Sequence, residues 1–111
     1  MPKWIDEMKG GETTRSRSDK QENRLAKDFN MRTTSNSGAT FGENDLKGAN
    51  MEFEAKTTDS NQYILKMADI NKMERKCHKD KMPVFVVEFR KHDREMVIIS
   101  MDDFKFLTGN Q

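Results

Sequence analysis

One cysteine, Cys77, stands among 111 residues, so the chain can close no disulfide within itself and build no cysteine zinc site. No apolar run approaches the length needed to span a bilayer, and no secretory pattern opens the chain, so the expected location is the cytoplasm. Histidine is as scarce: His78 and His92 are isolated in charged surroundings with no metal-ligand spacing, and both read as surface side chains. Gly38 and Gly42 flank a loop, but no Gly-Lys-Ser/Thr ending follows, which excludes a P-loop nucleotide site. Net charge is only +1, so there is no global polyanion-binding signature. Apolar residues make up 33% and charged ones 35%. That balance predicts a thin core and a wet surface, with burial that a partner or a second copy of the chain would complete. The nine methionines read as core filler.

What is present is unevenly placed. Between Thr13 and Arg32 lie Arg15, Arg17, Lys20, Arg24, Lys27 and Arg32 against Asp19, Glu22 and Asp28. Between Asn61 and Met82 lie Lys66, Lys72, Arg75, Lys76, Lys79 and Lys81 against Asp69, Glu74 and Asp80. Two basic flanks around a more acidic centre suit a polyanion held beside a cation site; the plainer reading is two solvated helix faces.

Residues 1–14 are polar and Gly-containing and read as a flexible N-terminal segment, leaving 15–111 as one domain. Ser16 or Ser18 is the expected cap of a helix reaching about Phe29, with Leu25, Ala26 and Phe29 as its apolar stripe. A short strand over 31–34 and a loop over 35–44 follow, then a hairpin turn at 47–50. Residues 51–56 alternate with period two: Met51, Phe53 and Ala55 face one way, Glu52, Glu54 and Lys56 the other. Met67, Ile70, Met73 and Cys77 recur at helical spacing, predicting a helix over 67–79. Pro83 is expected to end the linking turn before a central strand over 84–89. A hairpin partner over 96–99 and a short helix over 102–107 complete the pattern. The order α-β-β-β-α-β-β-α predicts an α/β (α+β) fold, a mixed central sheet flanked by helices.

Chemistry concentrates between Ser37 and Thr58. With Asp45 at the start of one hairpin strand and Glu54-Ala55-Lys56 in the next, the turn brings two carboxylates together. The alternation puts Lys56 on the face of Glu54, ~7 Å along the strand. Converging carboxylates offer oxygen ligands to a hard cation such as Mg²⁺, which can activate water. A lysine alongside can neutralise charge developing on a phosphate. Taken alone, Glu54-x-Lys56 is also an ordinary surface pair. Glu43 and Glu52 stand close enough in sequence to leave the ligand set open.

The string SGA–(x5)–D–(x8)–E–x–K–T–T follows a charged helix carrying Glu22 and precedes a basic helix and an apolar strand. It resembles the compact PD-(D/E)xK nucleases, and among them the archaeal and phage-type Holliday junction resolvases, over roughly residues 16–100. The context Glu43-Asn44-Asp45 departs from the Gly-Asp or proline usual before the family's aspartate. The resemblance implies a restriction-endonuclease-like fold and an Mg²⁺- or Mn²⁺-dependent endodeoxyribonuclease acting on branched DNA. A flap, single-strand or nicking nuclease, or an inactive nucleic-acid-binding module, is the alternative. It further implies Asp45 and Glu54 as metal ligands, the Ala55 carbonyl as a third, and Lys56 as the catalytic lysine. Glu22 would complete the site, and Ser37 would lie near the scissile strand. Arg15, Arg17, Arg24, Arg32, Lys72 and Lys76 are the expected DNA contacts. A homodimer is expected, joined through the Met67–Ile70–Met73 stripe or the Phe104–Leu107 tail, in a bacterial cytoplasm if the chain is phage-encoded.

Overall fold

Alternating β-formers between Met51 and Thr58 and a nearly unbroken apolar run from Met82 to Phe89 make two long strands, and everything else is arranged around them. The structure, a computed structural model, describes residues 14–34 and 42–110. The elements are α1 (Thr14–Phe29), β1 (Arg32–Thr33), β2 (Leu46–Lys47), β3 (Met51–Thr58), α2 (Met67–Lys76), β4 (Met82–Phe89), a single 3₁₀ turn at Arg90–His92, β5 (Arg94–Ile98) and α3 (Met101–Thr108). They form one five-stranded sheet in the order β1-β2-β3-β4-β5. All neighbours are antiparallel except β3 and β4, which run parallel through the α2 crossover. This is the expected mixed sheet with flanking helices, an α+β fold.

Each face of the sheet has its own small core. On one, Leu25 of α1 packs with Leu46, Phe53, Ala55, Val84 and Val86. On the other, Met73 of α2 packs with Phe85 and Val87, edged by Tyr63, Ile70, Phe89 and Ile98. Val84–Val87 are therefore buried on both faces, as a central strand requires.

The boundaries differ from the sequence reading in instructive ways. Helix α1 already begins at Thr14, so Ser16 and Ser18 lie inside it and neither is its cap; the rest of the expected segment 1–14 lies outside the described residues. Its other end closes as expected of an αL cap: Asn30 takes φ 52°, and the Met31 amide reaches back to the Ala26 carbonyl at 2.9 Å. Pro83 lies within β4 rather than ahead of it. The Met82 amide donates to Asn50 on the β3 side, so position 83 faces the other way. There β5 stops at Ile98, opposite Phe85, and no ladder partner awaits the missing N–H. Helix α2 stops at Lys76 instead of Lys79 because the chain turns there, sending the His78 amide to the Glu52 carboxylate at 3.1 Å. The turn at 48–50 is tight: the Gly48 amide donates to the Met51 carbonyl at 2.8 Å, and a Cβ on Gly48 would stand 3.0 Å from Met31 Cγ.

Candidate active site

Hairpin register sets the centre of the site. Leu46 pairs with Phe53, so the next step outward places Asp45 opposite Glu54. Asp45 Oδ2 accepts the Ala55 amide at 2.8 Å, which fixes its carboxylate against β3. Glu54 and Lys56 share a face, as period two demands, with Lys56 Nζ 3.8 Å from Glu54 Oε2. Lys76 Nζ, at the end of α2, stands 3.6 Å from Glu54 Oε1. That oxygen is buried and accepts no hydrogen bond among the described residues. Gln21 of α1 donates to the Lys56 carbonyl at 2.8 Å, docking the helix beside the hairpin.

The carboxylates disturb one another. Burial, then the charge of Asp45, pushes Glu54 up from the usual carboxylate range, against the pull of Lys76 and Lys56. Glu22 is raised to about 7, first by burial, then by the charges of Asp45, Asp19 and Glu54, with Lys56 opposing. Glu22, Asp45 and Glu54 therefore share one electrostatic neighbourhood. In metal-free buffer this arrangement has a cost with a definite sign. The folded protein holds a proton on Glu22 that the unfolded chain releases above about 4.5, so stability from this group falls as pH rises from about 4.5 through 7. Glu22→Gln is expected to match wild type in urea denaturation near pH 4.5 and to exceed it at pH 8. A difference that stays flat with pH would overturn this account.

The neighbouring acids have other work. Glu52, named above as a possible ligand, is fully buried and structural: it accepts Asn44 Nδ2 at 3.0 Å and the His78 amide at 3.1 Å. Asn44 also donates to the Met73 carbonyl at 3.1 Å, tying the start of the hairpin to α2. Glu43 is paired with Lys47 at 2.7 Å, which lowers its pKa. Thr57 is a strand-end hydrogen bonder, donating to Glu88 at 2.9 Å.

Of the basic residues, Arg15, Arg32 and Lys72 are exposed on α1, β1 and α2. Lys76 is turned inward onto Glu54, with only 11% of its side chain exposed, so it serves the site and not a DNA-facing surface. Arg24 grips Glu95 with both guanidinium ends, at 2.9 and 2.8 Å, and reaches Glu88 at 3.4 Å; it bolts α1 to the far strands of the sheet. Arg17 pairs with Asp59 at 3.5 Å. Ser37 lies outside the described residues. His78 and His92 are exposed, as read. Cys77 is half-buried, its thiol pushed up to about 11 by burial.

Gln21 and Asn44 are the residues that sequence reasoning missed as parts of the site, and Lys76, expected as a DNA contact, instead meets Glu54. A buried amide on a charged helix leaves no periodic signal, and a lysine at the end of a basic helix looks like its neighbours. Among the described residues, no three His, Cys, Asp or Glu side chains form by themselves a group that could hold a metal ion, and no helix is long and apolar enough to cross a membrane. No protein-family model matches the chain, and neither a curated protein nor a solved structure does so.

Proposed function

We propose that the chain is a metal-dependent DNA endonuclease of the PD-(D/E)xK type, with a restriction-endonuclease-like core and branched DNA, the four-way junction foremost, as its substrate. The observation that carries this reading is the hairpin that sets Asp45 opposite Glu54, with Lys56 on the same face and Glu22 in the same electrostatic field. The parallel β3–β4 pair crossed by a basic helix is in keeping with it.

The donor set fits Mg²⁺ or Mn²⁺. Such ions are held by one or two carboxylates and keep several waters, so a site short of three protein carboxylates is no obstacle. Glu54 Oε1 is buried and accepts no hydrogen bond among the described residues, its cationic neighbour being Lys76 Nζ at 3.6 Å. Asp45 and Glu54 would hold the ion, with the Ala55 carbonyl and Glu22 as further oxygens, and the ion would supply water activation and a Lewis acid for the phosphate. Lys56, 41% exposed, presents its ammonium where a phosphate's developing charge can be met. Asp45 is held by the Ala55 amide and does not need to reorganise. Arg15, Arg32 and Lys72 are exposed and suited to phosphate contacts.

The Lys76–Glu54 pair favours one other reading, a nucleic-acid-binding module whose central carboxylate is already neutralised. A gel assay on linear, flap and four-way substrates separates the two. Mg²⁺ or Mn²⁺ should give cuts on the junction, and EDTA should abolish them. Retained binding with no cleavage in either ion would favour the module. Full cleavage in EDTA would remove the metal mechanism. Symmetry of the mapped cuts about the branch point separates junction resolution from flap or nicking activity.

A further inference from the structure

The segment that leads from β3 into α2 carries a single aromatic side chain, Tyr63, which is also the only tyrosine of the chain. The sheet register fixes what lies beside it. Across the parallel ladder Glu54 pairs with Phe85 and Lys56 with Val87. Phe85 and Val87 pack with Met73 of α2, so Glu54 and Lys56 stand on that same face of the sheet. The Tyr63 ring rests on Phe85, 6.0 Å between centroids and tilted by 48°, at the edge of this cluster. Neighbouring strands are only ~4.8 Å apart, so a ring seated on Phe85 borders the row that holds the carboxylate and the lysine.

Packing accounts for the ring and leaves the hydroxyl unexplained. Phenylalanine would cover Phe85 and Ile70 equally well, and buried tyrosine hydroxyls usually find a partner. Tyr63 is half-buried, and its hydroxyl makes no hydrogen bond to another of the described residues. The charges around the phenol say which way it looks. Burial pushes its pKa above the ordinary tyrosine value, Lys56 opposes, and Asp69 and Glu54 add to the rise. At neutral pH the group therefore keeps its proton and can donate. A hydroxyl donor beside the Lys56 ammonium suits an anionic oxygen, and a phosphodiester offers two that are free. We propose that Tyr63 is a substrate-contacting residue of this site, its hydroxyl donating to a non-bridging oxygen of the DNA phosphate that Lys56 faces. The inference rests on reading the site as one for a phosphodiester.

The lone tyrosine makes the contact directly observable. Carbon-13-labelled tyrosine should give one phenol resonance, and adding a four-way DNA junction to the full chain in saturating Ca²⁺ should shift it saturably. Tyr63→Phe keeps the ring on Phe85 and removes one hydrogen bond to a charged group. It should lower kcat/KM for junction cleavage in Mg²⁺ by about ten- to a hundredfold, with the urea midpoint unchanged. If wild type cuts but the resonance ignores DNA, or Tyr63→Phe cuts equally well, the role of Tyr63 is overturned and the nuclease reading stands. A fall in kcat/KM matched by a fall in stability makes the residue structural and overturns the proposal too. A wild type that binds without cutting, with the resonance moving and Tyr63→Phe binding ten- to a hundredfold more weakly, removes the nuclease and keeps the contact. Neither cutting nor a shift overturns both.

Discussion

On the nuclease function proposed above, Lys56→Ala, Asp45→Asn and Glu54→Gln are each expected to lower junction cleavage by about a thousandfold, the scale of removing one group that stabilises transition-state charge. Circular dichroism and DNA affinity should change little. The reason lies in what the three side chains touch. Lys56 Nζ stands 3.8 Å from Glu54 and is 41% exposed, so removing its amine opens no cavity. Glu54 is held above its ordinary pKa by burial and by Asp45, so an uncharged amide there relieves repulsion and should not weaken the fold. Asp45→Asn keeps an oxygen that can still accept the Ala55 amide. Loss of cleavage with the fold intact is the signature of groups kept for chemistry. Normal turnover in Lys56→Ala would remove the assignment, and parallel losses of activity and thermal stability would make these residues structural.

One position upstream the expected effect is reversed. Asn44→Ala should destabilise the protein by about 2–3 kcal/mol, because removing one partner leaves buried acceptors unsatisfied. Asn44 is fully buried and is the donor to both Glu52 Oε1 and the Met73 carbonyl. Alanine would leave two buried acceptors without that donor. Glu43→Ala, which removes a partly exposed pair with Lys47, should change stability only slightly. Urea denaturation of the three single variants Glu43→Ala, Asn44→Ala and Asp45→Asn should thus separate a solvated pair, a structural clamp and a functional carboxylate in consecutive residues. If Asn44→Ala unfolds at the wild-type midpoint, the buried Asn44–Glu52 contact is energetically idle and the hairpin is held by its strands alone.

That triplet also shows where the sequence was readable. Periodicity found β3 and the buried centre of each helix stripe, Leu25 and Met73, because the alternation at 51–56 and the helical spacing report what one face must bury, while Phe29 and Met67 at the stripe ends stay exposed. The same alternation grouped Glu52 with Glu54 and Lys56, and the grouping is right as geometry. What it could not report is that α2 lies over part of that polar face, sealing Glu52 while leaving Lys56 at the surface. Pro83 was misread for a similar reason. Its cost in a strand depends on whether a neighbour needs the missing N–H, and that depends on where β5 stops. Arg24 and Lys76 looked like members of basic flanks; their acidic partners are far away in sequence, Glu95 for one and Glu54 for the other. Pattern carries the near neighbours, and the pairings that distinguish a site from a surface are contacts between distant residues.

The single parallel pair in the sheet has a consequence for how the chain acquires its structure. The β2–β3 hairpin closes over a tight turn, and β4 and β5 are joined by one 3₁₀ turn, so both antiparallel pairs can form from local encounters. Strands β3 and β4 can meet only after residues 59–81 have been looped back, a closure whose entropic cost precedes any gain from the contact. The slow event expected from this topology is the meeting of the two hairpins through α2. Asn44 and Glu52, whose bonds to Met73 and His78 bridge that junction, would register native contact late, and their loss would mainly accelerate unfolding.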